Sequence, residues 1–121
     1  DYPEKARESI IEMNRQVGVL SLDSRRVARR GLLIRHLVMP NQVAGTRAFV
    51  AWVADNLPAD TYINIMPQYR VEHRAFEYPH IAREITIEEF LEAIDLAQEQ
   101  GLTNLDARSL ATRNSLRRRL W

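Results

Sequence analysis

Two segments end alike and between them limit the folds open to this chain. "GLLIRHLVMP" (Gly31 to Pro40) and "TYINIMP" (Thr61 to Pro67) are both short apolar runs closed by Met-Pro and followed by a polar loop. Their length and Leu/Ile/Val content predict strands at Gly31–Met39 and Thr61–Met66, covered on both faces as in parallel sheets. Between them Phe49, Val50, Val53 and Leu57 recur at helical spacing. Thr46 is placed to cap that helix, and Pro58 ends it. Strand, helix and strand in this order predict a parallel βαβ unit.

The flanking segments extend the alternation. Ala6, Ile10, Met13 and Val17 make one apolar stripe on a helix over residues 3–17, closed by Gly18. "VLSLDSRRVARR" alternates weakly around Asp23-Ser24 and reads as a small hairpin or extended loop. Thr86 and Glu89 form a capping-box pattern at the head of a helix over 87–100, which Gly101 closes. The connection Pro67–Glu84 is 18 residues, a length usual for a functional or mobile loop. "LTNL" is a candidate third strand. Two or three parallel strands make a thin sheet with open edges, so the chain reads as part of a larger α/β assembly.

Charge and composition narrow the chemistry. The 121 residues carry a formal charge of +1, but five arginines and no acid fall in residues 108–121, which leaves 1–107 at about −4. A mildly acidic body argues against nucleic acid. The basic segment 108–121 divides from the body as a tail. It reads either as a basic amphipathic helix for an anionic surface or as a solvated extension. With no cysteine, the chain offers no disulfide, thiolate metal site or cluster thiolate. No P-loop, GxGxxG or Gly-x-Ser-x-Gly elbow is present. No apolar run approaches a bilayer span and no signal peptide stands out, so the expected compartment is the cytoplasm. The first residue is Asp1 rather than Met, which suggests a fragment.

Two polar residues interrupt the first strand. Alternation puts Leu33, Arg35, Leu37 and Met39 on one face and Leu32, Ile34, His36 and Val38 on the other. Arg35 and His36 therefore serve different surroundings. Arg35 calls for an acidic neighbour or an anionic ligand. His36 reads as a core histidine tying strand to helix. Asn64 shares a face with Met66 and needs a partner for its amide, from the protein or from a ligand. His73 and His80 lack metal-ligand spacing.

"RRGLLIRHLVMPNQVAGT", "DTYINIMPQYR", Tyr78-Pro79, Ile85-Thr86 and "DYPEKARESIIEMNRQVG" together resemble the C-terminal half of radical SAM proteins of the pyruvate formate-lyase activating enzyme-like group. The resemblance covers about residues 1–105. It implies an α/β fold, the last two to three βα units of a partial (β/α)6 barrel, with the domain at 1–107. It implies a parent protein that binds S-adenosylmethionine on a [4Fe-4S] cluster and cleaves it to a radical that abstracts hydrogen. This chain lacks the CxxxCxxC motif, so it would hold no cluster and would be inactive alone. By resemblance Arg35, Leu37, Met66, Gln68 and Tyr69 are the cofactor-binding positions. Tyr69 falls near where the activating enzyme has a histidine by the adenine. The implied partners are the N-terminal half of the barrel or a complementary chain, and a glycyl-radical-type protein substrate. The competing reading is a non-catalytic α/β module that pairs with another chain through open strand edges.

Overall fold

The computed structural model describes residues 2–120. Helix α1 spans Tyr2–Val17, and a hairpin of β1 (Ser21–Leu22) and β2 (Ala28–Arg30) follows. Then come β3 (Leu33–Leu37), α2 (Thr46–Asn56), β4 (Tyr62–Met66), α3 (Ile87–Glu99) and α4 (Ala107–Leu120). Short 3-10 turns sit at Pro40–Gln42, His73–Glu77 and Pro79–Ile81.

β3 and β4 pair in parallel, joined by the α2 crossover. Their register sets Leu33 beside Tyr62, Arg35 beside Asn64 and Leu37 beside Met66. Single bridges extend the pair on each side, Val19 to Leu32 and Ile63 to Leu105. The core is continuous between this pair and the helices: Ile34, Ile63, Ile65, Val50, Val53, Phe90 and Ile94 are all buried.

The expected partial barrel is not what forms. Among the described residues there are two sheets of two strands each. Residues 21–30 make an antiparallel hairpin, turned by Asp23, whose Oδ1 accepts from the backbone of Arg25 and Val27. "LTNL" contributes one bridge rather than a strand. A barrel closes only when enough tilted strands stagger around an axis, and two strands cannot do so. Nor is β3 covered on both faces. Its exposure alternates, with Ile34 and His36 buried and Leu33, Arg35 and Leu37 exposed.

Three local expectations also shift. Met13 is 45% exposed, so the partly buried stripe of α1 runs through Ile10 and Val17 without it. Thr46 does not cap α2: Gly45 stands at the N-cap with φ 62° and no side-chain bond closes the turn. Residues 108–120 are no solvated extension. They form α4, which packs on α3 with Ser109 2% exposed, and Arg117 reaches Asp95 at 2.9 Å. The capping box holds, with Thr86 and Glu89 exchanging both bonds at the head of α3.

Gly31 lets the chain pass from the hairpin into β3 at φ 119°, and a Cβ there would lie 2.3 Å from Leu20 Cα. Left-handed backbone and backbone collision act together at this point. Gly31→Ala should cost about 2 kcal/mol or more in urea unfolding. Gly101→Ala, at φ 83° with open space around it, should cost distinctly less.

Candidate functional site

The carboxyl ends of β3 and β4 gather the polar groups, as expected where parallel strands stop. After β3, Pro40 leads into Asn41 and Gln42, both at positive φ (56° and 60°). Asparagine tolerates this conformation better than most residues. The turn points the Asn41 N–H at Glu89 Oε2 (2.7 Å), and its side-chain amide donates to the His80 carbonyl (2.7 Å). Arg83 donates to Asn41 Oδ1 (3.0 Å) and to Glu89 Oε1 (2.8 Å). Glu89 thus joins the β3 turn, the end of the 67–84 loop and the start of α3. The Arg83 hydrogen bond, with help from the Thr86 and Asn41 backbones, lowers the Glu89 carboxyl to about 2 against the opposing effect of burial.

Arg35 and His36 part company as alternation requires. His36 Nε2 lies 2.9 Å from Thr46 Oγ1, and its ring stacks on Phe49 with centroids 4.5 Å apart. That ties β3 to α2 and explains where the Thr46 hydroxyl goes. Burial pushes the imidazole below its usual value. Arg35 faces the opposite way and has no carboxylate partner among the described residues. Its Nη2 rests 3.4 Å from Met66 Sδ.

Of the five positions expected to hold cofactor, Arg35, Leu37 and Met66 form one cluster on the open face, with Leu33 (42% exposed) beside them. Gln68 is exposed on the turn beyond. Tyr69 is half-buried and its hydroxyl donates to the Ile81 carbonyl at 2.8 Å, so that group anchors the loop. Asn64 is buried beside Arg35, and its Oδ1 is 3.0 Å from the Ser109 hydroxyl. That hydroxyl also accepts from the Ile65 N–H and lies 2.9 Å from the Ile65 carbonyl, so it stands where a neighbouring strand would. Tyr62 donates to Asp106 at 2.5 Å. Burial would raise Asp106, but the bonds from Arg108 and Tyr62 prevail and bring it to about 2.

Sequence reasoning missed Arg83, placed Asn41 only in the polar loop after the first strand, and saw Glu89 only as a cap. The usable signal was an asparagine directly after a strand-ending proline, a favourable place for positive φ. The described residues hold no group of three or more His, Asp or Glu able to bind a metal, and no helix among them is long and apolar enough to cross a membrane.

The fold and site define a small α/β chain with one polar node and one open sheet face. Over 72 residues, 59% of its length, the chain is 42% identical to an uncharacterized protein of Methanocaldococcus jannaschii. The match takes in 21% of that protein, so the chain spans about a fifth of the relative's length. No protein-family model matches, and no solved structure matches. The expected partial barrel therefore finds no support in a structural neighbour either.

The site contributes to the acid limb of stability. A depressed carboxyl favours the folded state fully above its ordinary value and loses that effect as pH falls towards its folded value. For Glu89 the window runs from 4.5 down to about 2, and for Asp106 from 3.8 down to about 2. His36 is also depressed, so its neutral folded form is favoured above pH 6.5 and begins to lose ground below it. Chemical unfolding across pH should show a shallow fall below 6.5 and a steeper one below 4.5. Glu89→Gln should cost about 1–3 kcal/mol at pH 7 and flatten the steeper limb.

Proposed function

We propose that the open face of β3 and β4 is one wall of a pocket for S-adenosylmethionine in a radical enzyme, with further chain supplying the remainder. The observation that carries this is a parallel pair with one uncovered face: Leu33 and Leu37 are 42% and 36% exposed, and Arg35 stands among them without an acidic partner among the described residues. Parallel strands are ordinarily covered on both sides, so such a face invites a complement. The motif resemblance to the pyruvate formate-lyase activating enzyme-like group supports the identity of that complement.

The residues present suit the cofactor in kind. Leu37 and Met66 offer an apolar surface for the adenosyl part. Arg35 and Gln68 offer donors for its polar groups. Tyr69 presents its ring, since its hydroxyl is engaged by Ile81. The cluster does not suit this chain, which has no cysteine. Thiolate ligands would come from elsewhere. When bound, the cofactor supplies hydrogen abstraction. The role of these residues is to hold it and keep water away. The proposed setting is the cytoplasm, and the proposed acceptor of the chemistry is a glycyl-radical-type protein.

The gene around this segment should encode CxxxCxxC ahead of residue 1, and its absence there ends the reading. The full product, reconstituted with iron and sulfide without oxygen, should cleave S-adenosylmethionine on reduction. Arg35→Ala should raise the concentration needed for half-maximal rate about tenfold, the loss of one charged hydrogen bond. An unchanged value would remove Arg35 from the pocket.

A second reading rests on the edge rather than the face. Beyond Leu32, β3 has no strand partner along its outer side among the described residues. A non-catalytic module joined to a second chain along that edge predicts an oligomer in sedimentation; a monomer at high concentration counts against it.

A further inference from the structure

The helical side of the molecule carries a trench distinct from the open face of β3 and β4. Its deeper part, about 700 Å³, lies between α2 and α3 at the end of β3. Small side chains make the space: Ala48 and Ala51 on α2, Ala93 on α3, with Leu96 as the apolar floor. A shallower part of about 350 Å³ shares Arg47, Glu92 and Leu96 with it and continues over the outer surface of α3 from Glu88 to Glu99. At about 1.5 Å per residue, that surface is about 17 Å long. Two joined depressions over such a length suit an elongated segment better than a compact small molecule.

Charge selects the segment. Glu88, Glu92, Asp95 and Glu99 line the shallow part, against the single base Arg47. Arg47 reaches Glu92 only at 3.8 Å with both side chains well exposed, and Asp95 is met by Arg117. Glu88 and Glu99, at the two ends, have no ion-pair partner among the described residues. An apolar floor between acidic ends is the complement of a helix with an apolar stripe flanked by bases. The same acids repel nucleic acid and anionic lipid.

We propose that this trench docks a basic amphipathic helix presented by a protein partner. The partner's Leu-type side chains enter the space left by Ala48, Ala51 and Ala93. Its lysines or arginines meet Glu88 and Glu99. The trench lies on the α2 and α3 side of β3, and its inner end is lined by Asn41 and Glu89 of the polar node.

The test uses the whole 121-residue chain, isotopically labelled, and a synthetic peptide of leucines and lysines at helical spacing, about 15 residues long so that it overspans the trench by a turn. Amide shifts should concentrate on α2 and α3 and weaken with salt. The same peptide with glutamate for lysine should leave the spectrum unchanged. Ala48→Trp, which obstructs the deep part, should weaken binding at least about tenfold, as loss of one buried anchor does. Glu88→Lys with Glu99→Lys should weaken it comparably and remove most of the salt dependence, and this pair keeps the test valid if the tryptophan variant misfolds. Shifts confined to the open face, binding indifferent to both variants, or no binding would each overturn the proposal.

Discussion

A parallel strand pair is the constraint on which the rest of this structure depends. Two parallel strands need a crossover, and the crossover has to return over one face of the pair. Here α2 does so, and Ile34 and His36 on β3 with Ile63 and Ile65 on β4 find their cover. The imidazole of His36 then has to be satisfied inside that interface. Thr46 and Phe49 do this with a hydrogen bond and a stacked ring, so one polar residue fixes where the helix sits on the strand. The outer edge of β4 is settled next. Backbone bonds to Asn104 and Asp106 serve Ile63, and the Ser109 hydroxyl serves Ile65. That is why the arginine-rich segment becomes a docked helix: its first turn completes a strand edge.

Glu89 performs a comparable task at the other end. It closes the capping box of α3, and it also receives the backbone of Asn41 and the guanidinium of Arg83. One carboxylate therefore holds three chain segments that are distant in sequence. Charge-assisted bonds are the stronger kind, and few-partnered loops are the parts of a protein that open first. The long 67–84 connection keeps its ends in place through Tyr69, His80 and Arg83 while Phe76, 68% exposed, and Tyr78 remain at its surface.

Periodicity made much of this legible. Both strands, the crossover helix, the capping box and the opposite facing of Arg35 and His36 follow from spacing alone. What spacing does not carry is long-range partnership. Thr46 looks like a cap because caps are local, yet its hydroxyl is taken by a residue ten positions earlier. The segment 108–120 looks like a tail because it is basic, yet Ser109 and Leu110 bind it to the body. Apolar content suggested a strand covered twice, whereas Leu33 and Leu37 lie on the uncovered face. The barrel expectation came from resemblance, and the strands needed to close one are absent among the described residues. Of the candidate site, Arg35, Leu37 and Met66 do share one surface, while the Tyr69 hydroxyl turned out to serve the loop.

The two faces of the strand pair ask for different complements, and physics separates them. The open face offers alternating leucines and one guanidinium at short range from a thioether, a surface that water wets poorly and that an anionic or aromatic group would satisfy. The helical side offers acids around small apolar residues, a surface that repels such a group and attracts a base. His36, neutral at ordinary pH because it is buried, lies between them without carrying charge to either. The two faces of the strand pair thus differ in chemistry: a guanidinium among leucines on one, carboxylates around small apolar residues on the other.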